Sequence, residues 1–155
     1  MRSFAKAFVY AGRGVALCLR QRNFRFHLSL AAYMYGYLLL YDWFTLGRAE
    51  WACLLLATFA VLAAEAGNTA LEAVVDRIGT DRHPLAARAK DAAAGAVLLC
   101  ALGAAAVGFV VLWQPKAFRY MAAYYAAHPW MLAALAFSLV LTALFVFCLR
   151  RGRGG

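Results

Sequence analysis

Glu65, Asn68, Glu72 and Asp76 recur at spacings of three and four residues within the segment EAGNTALEAVVD. At about 100° per residue on an α-helix they fall within an arc of about 80°. They make one polar stripe, and the intervening Ala66, Gly67, Ala70 and Ala73 are small enough to admit a close neighbour. Carboxylates and an amide along one stripe suit proton abstraction or divalent-cation binding. The stripe continues an apolar run that begins near Trp51. At about 1.5 Å per residue Glu65 lies about 21 Å along that run, inside a hydrocarbon layer about 30 Å thick. Glu72 falls near the layer's boundary and Asp76 among the headgroups. An acid at membrane depth costs about 2.5–3.5 kcal/mol on insertion scales, so its presence points to function. The bland alternative is an interhelical hydrogen bond from Glu65 and Asn68, with Glu72 and Asp76 merely solvated. Five of the seven acids lie between residues 65 and 91, and scattered solvation does not concentrate acids that way.

The following segment, RHPLAARAKDAAAGAV, supplies the complement. Lys90 and Asp91 stand early in a helix opened by Pro84. Asp76, Asp81 and Asp91 are candidates to hold Mg²⁺ or Lys90; Lys90, Arg82 and Arg88 are candidates to neutralise phosphate. Carboxylates and cations together at an interface suit Mg-nucleotide. No G-x-x-x-x-G-K-[ST] segment occurs, which excludes a P-loop.

These residues must be positioned by membrane helices. The chain has 155 residues, 66% hydrophobic, with a net charge of +9 and a mean hydropathy of +0.68. Such a composition excludes an ordinary soluble domain. The positive charge marks a cytoplasmic face and anionic lipid rather than nucleic acid, for which no binding module is present. No cleavable signal peptide is expected. Cys18, Cys53, Cys100 and Cys148 lack metal-ligand spacing and read as small apolar groups.

The fold expected is all-α and integral to the membrane. Residues 3–20 place Phe4, Phe8, Ala11, Val15 and Cys18 on one face, as in an amphipathic helix lying on the surface. Spans are expected at about 26–46, 51–78 and 84–113, with a fourth at about 129–149 after an aromatic connector at 116–128. Of the Arg and Lys residues, six fall in the first 25 positions, and more follow at 77–90 and 150–153. The other loops carry only Arg48, Lys116 and Arg119. Four spans with both termini cytoplasmic satisfy this asymmetry. Cys100, Ala104 and Gly108 give the third span a small face suited to helix packing, within a chain or between chains.

The order E-x-x-N-[ST]-A-[IL]-E-x-x-x-D, then H-P-L-A, then A-K-D-x-A-A-G-A-V, resembles the signature of the small prokaryotic membrane lipid kinases, the diacylglycerol kinase and undecaprenol kinase family. FVYAGRG and RNFRFH also resemble this family, and its Gram-positive undecaprenol kinase branch more than the enterobacterial one. The resemblance covers about residues 3–113; residues 1–113 are taken as the kinase core, with 114–155 appended. It implies a homotrimer in the bacterial inner membrane with the site at its cytoplasmic interface. The implied reaction passes the γ-phosphate of ATP, with Mg²⁺, to a lipid hydroxyl. Undecaprenol is the first expectation for the acceptor and diacylglycerol the second. By motif match Glu65 is the general base and Glu72 a metal ligand. Asn68 and Asp76 hold the site together. Lys90, Asp91 and the segment Asp81, Arg82 and His83 contact nucleotide, with Tyr10 near it.

Two departures stand out. Where the family carries a Glu as second metal ligand, this chain has Gln21, a poorer ligand for Mg²⁺. The fourth span lies beyond the family's motif and carries no charged residue between Pro129 and Leu149. Two other functions compete. A proton-coupled carrier would use an intramembrane Glu, yet in the outer halves of the spans the one charged residue is Asp42, near the end of the first. A non-catalytic scaffold descended from kinases would explain Gln21, but not the intact Glu65, Glu72, Lys90 and Asp91.

Overall fold

A computed structural model describes residues 2–78 and 84–148. Those residues form six helices and no strand: α1 Arg2–Cys18, α2 Arg22–Leu40, α3 Arg48–Ile78, α4 Pro84–Leu112, α5 Pro115–Ala127 and α6 Pro129–Phe147. All three prolines open helices, where the missing N–H is no loss and the fixed φ suits the first turn.

The long helices match the expected spans closely for α3, α4 and α6. These three are long and apolar enough to cross a membrane. Helix α2 is not among them, and it stops at Leu40 rather than near residue 46. The cause is a strap. Tyr41 turns extended, and its ring stacks on Trp43 at 4.0 Å. The Gln114 side chain then grips Thr45 from both sides, accepting from its N–H at 3.1 Å and donating to its carbonyl at 3.0 Å. Residues 41–47 are thereby bound to the α4–α5 junction and cannot continue the helix. The expected connector at 116–128 is helical as well. It forms α5, whose Ala117 is buried and whose Tyr124 and Tyr125 pack on Tyr41 and Trp43.

The exterior is as apolar as the core, which holds Phe24, Leu54, Val61, Val75 and Val97. Leu56, Phe59, Leu99 and Val110 are 65–77% exposed, whereas Arg25, Glu65 and Asn68 are buried. Apolar groups outside, with the few ionisable groups of the spans turned inward, is the arrangement that hydrocarbon solvent selects. Helix α3 has 31 residues, about 46 Å, and pairs with α4 more extensively than any other two helices pair. Helix α2 packs against α3 on one side and α6 on the other.

Candidate active site

The polar stripe of α3 runs from buried at Glu65 and Asn68, through half-buried Glu72, to exposed Asp76. Glu65 is 2% exposed and Asn68 9%. Asn68 Nδ2 donates to Glu72 Oε1 at 3.0 Å, so the amide orients the second carboxylate one turn away. Asn68 Oδ1 is buried and has no hydrogen-bond partner among the described residues. From α2, His27 brings Nε2 to 3.5 Å from Glu65 Oε1.

Above this stripe lies the elbow between α1 and α2. Two tight backbone bonds close it, Arg20 N–H to Leu17 O and Gln21 N–H to Cys18 O. Gln21 caps α2 through its backbone alone, with its side chain making no cap bond. The result is a polar cleft of about 510 Å³ lined by Arg20, Gln21, Arg22, Asn23, Arg25, Glu65, Asn68, Thr69, Glu72, Val146 and Phe147. At the elbow, burial pushes the Cys18 thiol up, and the Glu65 carboxyl adds to the effect. Cys18 is therefore a neutral packing group at ordinary pH.

Below Glu65 a second space opens, an apolar groove of about 460 Å³ between α2, α3 and α4. Phe26, His27, Leu30, Val61, Leu62 and the small residues Ala101, Ala104, Ala105 and Gly108 line it. His27 lines the groove and Glu65 lines the cleft, so their contact is the junction between an apolar space and a polar one.

Of the residues singled out in the sequence, the cleft gathers Gln21, Glu65, Asn68 and Glu72. Asp76 and Lys90 pair with each other at 2.5 Å, tying α3 to α4 outside the cleft lining. Asp91 is exposed on α4 and Tyr10 is 64% exposed on α1, its ring beside Arg13; neither lines the cleft. Asp81, Arg82 and His83 lie outside the described residues. Sequence reasoning missed His27, Arg25 and the Val146–Phe147 wall. The first two stand in RNFRFH, two residues apart at the start of a span, which was the available signal. Nothing in the α6 sequence marked the third.

The donors suit a hard cation. Glu72, Glu65, Gln21 and the orphaned Asn68 Oδ1 are all oxygen bearers on one cleft. Among the described residues no group of three His, Cys, Asp or Glu side chains converges on a metal. Two carboxylates still fit Mg²⁺, which commonly takes one or two carboxylates and completes its shell with water and substrate phosphate.

The prokaryotic diacylglycerol kinase family matches residues 9–112, from α1 through α4. The chain is 39% identical over 119 residues to the undecaprenol kinase of Bacillus subtilis, covering 75% of this chain and 92% of that one. It is 43% identical over 112 residues to the diacylglycerol kinase of Synechocystis, covering 70% and 62%. Against the diacylglycerol kinase of Escherichia coli the identity is 37% over 72 residues, covering 46% and 59%. The matched stretches thus span about three fifths of those two diacylglycerol kinases. No solved structure matches.

Proposed function

The chain belongs to the prokaryotic diacylglycerol kinase family, a family of lipid kinases, and from that premise we propose that it phosphorylates undecaprenol with Glu65 as general base. The observation that carries this reading is the place of Glu65, buried where the polar cleft meets the apolar groove. A lipid alcohol with its chain in the groove brings its hydroxyl to Glu65, while a triphosphate occupies the cleft. Undecaprenol is favoured because the relative bearing that activity in its name is matched over 92% of its length. Diacylglycerol is the second reading, supported by the names of the Synechocystis and Escherichia coli relatives.

The reaction is an in-line transfer. The acceptor oxygen bonds to the γ-phosphorus as the bond from that phosphorus to the β–γ bridging oxygen breaks, and the hydroxyl proton passes to Glu65. His27 holds the Glu65 carboxyl on the groove side, and Asn68 turns Glu72 toward the cleft. Arg20 and Arg22 on the elbow offer positive charge to the phosphates. Bound Mg²⁺ supplies further neutralisation of the triphosphate, and Glu72, Asn68 Oδ1 and Gln21 are the groups that would hold it. The Asp76–Lys90 pair fixes the start of α4, from which Asp91 and the 81–83 segment would reach nucleotide, with Tyr10 contributing from α1. Much of the rate then comes from positioning and charge neutralisation.

In the membrane, α2 joins α3, α4 and α6 as a fourth span, and α1 lies in the interface with Phe4 and Phe8 toward lipid; both are more than 70% exposed. Both termini and the cleft face the cytoplasm of a bacterial inner membrane, a reading that the Arg and Lys distribution supports. Residues 1–113 are the kinase core and 114–155 an addition to it. The exposed apolar faces of α3 and α4 supply the contacts of a homotrimer. The test is transfer of labelled γ-phosphate from ATP by the purified protein in lipid vesicles, with undecaprenol and diacylglycerol offered in parallel. Mg²⁺-dependent label on undecaprenol is the expected result. Label on diacylglycerol alone would move the acceptor to the second reading, and label on neither would refute the kinase assignment.

A further inference from the structure

Helix α6 lies outside the family match, yet its last turn stands in the cleft. Val146 is 3% exposed and Phe147 66%, and both line the space that also holds Glu65 and Glu72. The two departures from the family pattern, Gln21 and the fourth span, therefore meet at one site.

Arg25 holds the turn in place. Its guanidinium is buried, and Nη2 donates to Val146 O at 2.7 Å. Nη1 donates to Leu19 O at 3.2 Å and to Arg20 O at 3.0 Å. The same group lies over the Phe145 ring at 5.6 Å. Carbonyls at a helix's C-terminal end lack intrahelical donors and carry the negative end of its dipole. One planar fork thus ties the elbow after α1 to the end of α6. Two turns along α2, Tyr33 Oη donates to Ser138 Oγ at 2.9 Å and lies 3.0 Å from Thr142 Oγ1. Ser138 and Thr142 are four apart, on one face of α6. These contacts fix both the depth and the rotation of α6 against α2.

We infer that the last turn of α6 is a working wall of the cleft, and that Phe147 determines specificity by limiting the bulk of the lipid headgroup that reaches Glu65. The inference rests on the reading of the cleft as the phosphoryl-transfer site. Apart from Val146 and Phe147, every group lining the cleft is polar or charged. An acceptor entering from the groove past His27 meets this apolar ledge across the space beside Glu65. A linear primary alcohol extends into that space with little lateral bulk. A glycerol diester carries an ester arm beside its hydroxyl and needs the room that Phe147 takes. Arg25 and Tyr33 clamp α6, which keeps the turn that carries Phe147 at the cleft.

The experiment measures kcat/KM of the full chain in vesicles for a linear polyprenol and for a 1,2-diacylglycerol. Wild type should favour the polyprenol. In Phe147→Ala the diacylglycerol-to-polyprenol ratio should rise on the order of tenfold, the range in which pocket shape discriminates hydrocarbon groups. Phe147→Trp should lower it. Phe137→Ala, 65% exposed on the same helix and away from the cleft, should leave it unchanged. A rise of about threefold or more with Phe147→Ala supports the inference. A smaller change, a response equal to that of Phe137→Ala, or equal use of both lipids by the wild type overturns it. Absence of transfer to either lipid by the wild type would instead refute the kinase assignment beneath it.

Discussion

Helices α3 and α6 reach the same cleft and bring different things to it. From α3 come Glu65, Asn68, Thr69 and Glu72, side chains able to hold a proton, a cation or a phosphate. From α6 come Val146 and Phe147 and one backbone carbonyl. Inserting α3 means taking a buried carboxylate into the membrane, a cost of about 2.5–3.5 kcal/mol that demands a reason. Inserting α6 asks for no such reason, since its sequence from Pro129 to Phe147 contains no charged residue. A helix can therefore be part of a site through shape and a carbonyl alone, and composition will not reveal it.

The sharpest way to test this division is to remove chemistry from α3 without removing volume. Glu65→Gln should lower turnover by about 10²–10⁴-fold, the usual contribution of a general base, while ATP affinity stays similar. The fold should survive, because Gln fills the same buried space beside His27. Near-full activity in this variant would mean that Glu65 is not the base.

The converse experiment leaves the α3 groups alone and releases α6. Arg25→Met keeps the apolar stem but loses three carbonyl bonds. Hydrogen bonds to charged groups contribute about 1.5–3 kcal/mol each, so thermal stability in detergent should fall clearly. Activity should fall less than in Glu65→Gln, since the reacting groups remain. Arg25→Lys should recover only part of the stability, because an ammonium lacks the planar fork. If Arg25→Met changes neither stability nor activity, α6 is a passenger and the comparison with α3 collapses.

What the sequence revealed follows the same division. The α3 stripe was legible because helical periodicity and membrane depth both act through side-chain type. The helix boundaries at Pro84, Pro115 and Pro129 were legible because proline acts locally. Residues 41–46 were misread as the helical end of a span. Their departure from helix depends on Gln114, about seventy residues away, gripping Thr45. Residues 116–128 read as a connector, yet the alanine-rich stretch after Pro115 suffices for a helix once Ala117 has a neighbour to pack on. Arg25 looked like one more cytoplasmic cation. Its role emerges only when the elbow after α1 and the end of α6 converge, which no local pattern encodes.

A smaller effect is expected at Gln21, on the elbow that faces both helices. Gln21→Glu adds a third carboxylate to a cleft that has Glu65 and Glu72. The Mg²⁺ concentration for half-maximal activity should fall several-fold, on the order of the gain expected from ligand charge. An unchanged Mg²⁺ dependence would show that the Gln21 side chain does not reach the metal.

The smallest effect reads the Glu65 charge without using turnover at all. Burial, with a lesser push from the Glu65 carboxyl, holds the Cys18 thiol above its ordinary value. Folding thus favours the protonated thiol. This contribution is full below the unfolded pKa and declines as pH rises through the folded one. Maleimide reacts with the thiolate, so the inflection of Cys18 labelling with pH should lie above the ~8.5 of an unperturbed thiol. Peptide mass spectrometry separates Cys18 from the exposed Cys148 in the same sample. In Glu65→Gln the inflection should fall only slightly, because burial remains. An inflection at the ordinary thiol value in the wild type would mean that the elbow is open to water, and that the cleft lacks the roof on which both helices converge.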